Sequence, residues 1–121
     1  MANAPRIGTL LAGLVAAGCG GTSDTTGATL SSVDCSASAP TFGELTIWPL
    51  CTICHASSLT GSARQGAPSN VNFDSFAAAA NQAMSAAVQV SAGDMPPPGE
   101  AQPTSAQKTA LYQWALCGTP N

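Results

Sequence analysis

The sequence predicts an all-α domain. Three segments carry helix start and stop signals, the chain is rich in alanine, and no segment shows period-two alternation. Alanine favours helix but buries little surface. With 121 residues, the chain has room for one small domain once any export segment is removed.

The first helix starts in "PTFGELTIW". Thr41 is its expected N-cap and Glu44 completes a capping box. Pro49 is expected to break or bend it, with Trp48 pushed away from helical geometry. The second is expected over residues 75–89, "SFAAAANQAMSAAVQ", with Asp74 as N-cap. The third follows "QPTSAQKTALYQWALCG"; Thr104 or Ser105 caps it, and Gly118 with Pro120 ends it.

Upstream, "MANAPRIGTLLAGLVAAGCGG" has one base, Arg6, and an apolar run from Ile7 to Ala17. That run is too short to span a bilayer and reads as a signal peptide over residues 1–18. "LVAAGC" resembles the lipobox of bacterial lipoproteins, which implies lipidation at Cys19 and a membrane anchor. An ordinary signal peptide cut near "AAG", with Cys19 incidental, is the alternative. Residues 19–34 are Gly-, Ser- and Thr-rich and read as a tether, with an r.m.s. span of roughly 20–23 Å for its Gly/Ser-type stretch. The domain proper is expected over residues 35–121. The net charge is −3, with only three Lys and Arg, which excludes a phosphate-binding surface and hence nucleic acid.

A domain this short, with two Trp, one Tyr and three Phe, needs a supplement to its core. Five cysteines offer some. Cys35 and Cys117 flank the domain and are candidates for a disulfide in an exported chain; two buried free thiols are the alternative.

Cys51, Cys54 and His55 form "CTICH". Two thiols three apart can each form a thioether to a haem vinyl group, and the next imidazole can reach the iron. This is the pattern of c-type haem attachment. A dithiol redox pair is disfavoured because no βαβ pattern surrounds it. A zinc site needs two further ligands, for which Cys35 and Cys117 are candidates. For a sixth iron ligand, Met84 lies mid-helix, where methionine usually fills core. Met95 lies in "AGDMPPPGE", where prolines restrict the backbone around the thioether.

These residues resemble a small class I bacterial cytochrome c. The resemblance rests on "CTICH", on "MPP" at 95–97, and on helix-face positions across residues 41–117. In that family a Gly lies eight residues before the first haem cysteine and an aromatic four before it; Gly43 and Ile47 stand there. Leu111 and Trp114 match the family's Leu and aromatic on the last helix. "RQGAPSNVNFDSF" and "WALCGTP" further suggest small lipoprotein-like members.

The resemblance implies first and last helices crossing over one covalently bound haem c. It implies Cys51 and Cys54 as thioether sites and His55 and Met95 as axial ligands. Pro68 would offer its carbonyl to the imidazole. Arg64 is a candidate partner of a haem propionate, as is Asn72; a solvated Arg and a turn-shaping Asn are the alternatives.

The function implied is one-electron transfer without catalysis of its own, between redox partner proteins in the cell envelope. Gly20 after Cys19 leans towards the outer membrane. A haem sensor with a labile sixth ligand is the alternative, followed by a structural zinc module. A peroxidase is disfavoured, since there is one CxxCH and no second histidine for proton transfer.

Overall fold

The computed structural model describes residues 30–121. The signal peptide, Cys19 and the tether as far as residue 29 lie outside the described residues. Four α-helices occur in the order α1 (Trp48–Thr52), α2 (Phe76–Asn81), α3 (Ala83–Ala92) and α4 (Ser105–Leu116), with no strand among the described residues. Short 3-10 turns lie at Leu30–Ser32, Phe42–Glu44 and Gly61–Arg64. The all-α expectation therefore holds. None of the described helices is long and apolar enough to cross a membrane.

The expected first helix is two pieces. Thr41 and Glu44 do pair: the Thr41 N–H donates to Glu44 Oε2 at 2.8 Å, but the turn they cap is 3-10. Leu45 then turns extended, with ψ 112°, and α1 begins afresh at Trp48. Pro49 sits in the first turn of α1, where a missing N–H breaks no helical bond. It starts a helix rather than ending one, and Trp48 is helical.

The second expected helix is also divided. Ser75, not Asp74, is its N-cap, and Ser75 Oγ accepts from the Ala78 N–H at 3.3 Å. Asp74 instead accepts from the Ser57 N–H at 2.9 Å and hydroxyl at 2.6 Å, tying the loop after the CxxCH segment to the start of α2. The helix breaks at Gln82, and α3 runs on to Ala92, past the expected end at Gln89. Gly93 ends it with φ 79°, a left-handed conformation that favours glycine.

The last helix follows the expectation most closely. Thr104 is its N-cap in a capping box: its N–H donates to Gln107 Oε1 at 2.9 Å, and Thr104 Oγ1 accepts from the Gln107 N–H at 3.2 Å. Gly118, at φ 98°, turns the chain beyond its end.

The core lies where α3 and α4 pack together and where the segment from Phe42 to Trp48 covers α4. Trp114, Tyr112, Ile47 and Leu111 are its largest fully buried side chains. Trp114 meets the Trp48 ring edge-on at 5.3 Å and Phe42 at 6.3 Å between centroids. Trp48 stacks on Phe73 at 5.6 Å. The Trp114 Nε1–H and the Phe42 N–H both donate to the Pro120 carbonyl, each at 2.9 Å, so the C-terminal segment is drawn over the aromatic cluster. From α3, Ala79's successors Ala83, Ala87 and Val90 contribute small apolar faces.

Ile47, Leu111 and Trp114 share one core, with Ile47 at the N-cap of α1 and not on a helix. Gly43 does not join them. A Cβ built there would meet nothing within 4 Å, so no close helix approach explains this glycine. A polar bond to α4 adds to the apolar contact: Gln107 Nε2–H donates to the Thr46 carbonyl at 3.0 Å.

Cys35 and Cys117 are joined in a disulfide, with Cα atoms 5.4 Å apart. Leu30 and Val33 pack against the core, so the packed body reaches upstream of residue 35 into the expected tether.

Candidate functional site

The CxxCH segment opens onto a cavity of about 320 Å³, within the usual range for small-molecule and cofactor sites. Five parts of the chain line it: α1 with the turn after it, the segment from Arg64 to Phe73, α3, the loop carrying Met95, and α4 through Leu111. Cys51, Cys54, His55 and Met95 all line it. The rest of the wall is largely apolar, with Leu50, Phe73, Val90 and Leu111 among its residues.

Local backbone geometry turns the CxxCH side chains to that cavity. Cys51 closes α1, and its carbonyl accepts from the His55 N–H at 2.9 Å and the Cys54 N–H at 3.3 Å. The two cysteines and the histidine thus sit on one continuing helical turn. The Phe73 N–H returns to the His55 carbonyl at 2.9 Å, and the Phe73 ring meets the imidazole edge-on at 5.5 Å.

His55 Nδ1 lies 3.0 Å from the Val71 carbonyl. A carbonyl can only accept, so this pairing puts the imidazole proton on Nδ1 and leaves the Nε2 lone pair free to ligate. The Pro68 carbonyl, expected in this role, is instead taken by Arg64 Nη2–H at 2.6 Å.

Arg64 is not the solvated surface base that one expectation makes it. It is the buried charged residue of the core region, 5% exposed, and lines the cavity. Its guanidinium is spread over five backbone carbonyls: Nε–H to Ala67 at 3.1 Å, Nη1–H to Ala56 at 2.7 Å and Leu59 at 3.4 Å, Nη2–H to Pro68 and to Val71 at 2.9 Å. A buried charge needs such partners, and an arginine has five N–H donors to give. Asn72 shapes a turn, its Nδ2–H donating to the Ser69 carbonyl at 3.1 Å, and it does not line the cavity.

Met95 lines the cavity from the opposite loop and is 38% exposed. The N–H groups of Asp94 and Met95 both donate to the Gln89 carbonyl, at 3.0 and 3.2 Å, which pins this loop to the end of α3. Gln102 Nε2–H reaches the Pro96 carbonyl at 3.1 Å and the Pro97 carbonyl at 3.2 Å. Met84 is exposed on α3 and outside the cavity wall, neither a core filler nor a candidate ligand.

Sequence reasoning missed Gln102 and the clamp made by Arg64. A signal existed for both: proline- and glycine-rich loops leave carbonyls without backbone donors, so a nearby side-chain donor is needed.

The cavity therefore holds two free thiols, one imidazole and one thioether. Burial pushes the Cys51 thiol up to about 11, so at neutral pH it is a poor attacking thiolate. That disfavours dithiol exchange. A four-thiolate zinc site is also disfavoured, because Cys35 and Cys117 are bonded to each other. Among the described residues, no three His, Cys, Asp or Glu side chains are grouped to hold a bare metal ion.

No known protein family, curated protein or solved structure matches the chain.

Proposed function

We propose that this chain is a mono-haem c-type cytochrome, carrying one electron at a time between proteins of the bacterial cell envelope. The observation that carries this reading is the meeting of Cys51, Cys54, His55 and Met95 around one apolar cavity. The donor set fits haem c: two thiols for the vinyl groups, an imidazole and a thioether for the iron. When bound, the haem supplies a one-electron Fe(II)/Fe(III) couple.

The chain's own residues do the rest. Cys51 and Cys54 retain the group and add apolar bulk to a core short of it. His55 is oriented by its Nδ1–H bond, which also makes Nε2 a better donor. Met95 offers a soft sulfur from a loop pinned at Gln89 and Gln102. Met ligation and the largely apolar wall would both favour a raised potential. With His55 and Met95 both holding the group, no position would be left open for a substrate, which supports a carrier over an enzyme.

The acidic balance of the chain favours a basic redox partner, met through small, transient contacts. The lipobox-like "LVAAGC" supports export and lipid anchoring at Cys19, on the periplasmic side of a membrane, with the outer membrane favoured.

The exposure of Met95 supports a second reading, a haem sensor whose sixth ligand leaves to admit a gas. Visible spectra of protein made with cytochrome c maturation machinery, beside Met95→Ala, separate the readings. Low-spin covalent haem whose Met–iron charge-transfer band is lost only in the variant is the result expected for a carrier. High-spin haem, or a spectrum indifferent to Met95→Ala, favours the sensor. Absence of covalent haem overturns both.

A further inference from the structure

We propose that Arg64 is a positioning residue for the His55 imidazole. The Arg64 Nη2–H at 2.9 Å and His55 Nδ1 at 3.0 Å share the Val71 carbonyl oxygen, using both of its lone pairs. The inference deepens the electron-transfer reading and rests on it only for what His55 ligates.

The Val71 carbonyl lies in a loop with little regular structure; no helix or strand holds residues 65–75. Left to itself, such a loop would let the carbonyl wander and the imidazole turn. Arg64 removes that freedom. Its fork joins the chain just after His55, at Ala56 and Leu59, to the chain on the far side of the loop, at Ala67, Pro68 and Val71. The loop is thereby locked to the segment carrying the histidine. The ring's hydrogen-bond acceptor and the ring itself then move as one unit.

The buried position of Arg64 supports a specific role over a general one. A buried guanidinium costs folding free energy unless carbonyl dipoles surround it, as five do here. A lysine offers three donors on a compact head and cannot span the same five acceptors.

The chain's single histidine makes the test direct, because ¹⁵N-histidine labelling gives one ring signal set. The full-length protein is prepared with haem-maturation machinery, reduced, and compared with Arg64→Lys and Arg64→Gln. The wild-type ring is expected as the Nδ1–H tautomer in slow exchange with solvent. Both variants are expected to speed that exchange about tenfold or more, the factor for losing one hydrogen bond from a charged group.

Asp74→Asn serves as a control. It weakens the Ser57–Asp74 tie on the same loop without touching Val71, so it should lower the melting temperature and leave ring exchange unchanged. Should Arg64→Gln fail to fold, Arg64→Lys carries the comparison.

A wild-type ring protonated on Nε2 overturns the proposal. So does wild-type ring exchange in both Arg64 variants, even with lowered melting temperatures, because that pattern marks a purely structural residue. A wild-type protein without covalent haem overturns the cytochrome reading alone; the ring-exchange comparison still decides the role of Arg64.

Discussion

Breaking the Cys35–Cys117 disulfide should cost this domain a large share of its stability. The bond joins residues 82 apart in sequence, at a Cα separation of 5.4 Å that suits a disulfide. Loop-closure entropy for a ring of that length gives about 4.5 kcal/mol of stabilisation through the unfolded state. The core cannot easily absorb such a loss: much of α2 and α3 is alanine, and the large apolar side chains are few. The bond also sits beside the turn that brings the Pro120 carbonyl to Trp114 and Phe42. We expect Cys35→Ser with Cys117→Ser to lose about 4–5 kcal/mol in guanidinium titration, with a melting temperature lower by about 20 °C or more. The denaturant slope should rise, because the unfolded chain is no longer held in a ring. A loss below about 1 kcal/mol, the scale of an ordinary surface change, would refute the loop-entropy argument.

Two further outcomes follow from the core and from the surface carboxylates. Trp114→Ala should cost about 3–5 kcal/mol in the same titration, while Val88→Ala on the exposed face of α3 should stay within about 0.5 kcal/mol; equal effects would remove Trp114 from the centre of the core. Asp34, Glu44 and Asp74 are each held below the usual carboxylate range, by the Ser36 N–H, the Thr41 N–H and the Ser57 hydroxyl respectively. Their contribution is complete above the unfolded values, ~4, and is lost as pH falls through the lowered folded values. Thermal melts from pH 6 downward should therefore show stability falling only below about pH 4.5; a flat profile there contradicts the assigned hydrogen bonds.

Local chemistry was well legible where a signal is complete within a few residues. Thr104 was readable as a cap, with Ser105 as the alternative, because an N-cap signal sits within a few adjacent positions. Thr41 and Glu44 were readable as a pair for the same reason, though the pair does not decide between a 3-10 turn and an α-helix. Pro49 was misjudged because its cost depends on whether a helix is already running when it arrives. Asp74 and Ser75 compete for the same cap, and Ser57, distant in sequence, draws Asp74 away.

By itself, the sequence determined the all-α class, and it singled out Cys51, Cys54, His55 and Met95, which the fold brings to one cavity, over Met84, which lies outside it. Those features depend on residue type and short spacing, which survive without a fold. Tertiary structure decided that the candidate pair Cys35 and Cys117 does meet, and it alone decided that Val71 rather than Pro68 faces His55 and that Arg64 is buried among carbonyls. The physical reason is common to all three. Each depends on which backbone groups an irregular loop or a chain end brings within about 3 Å, or a disulfide's reach, of one another. Such distances are set by packing across the whole domain and leave no local pattern in the chain.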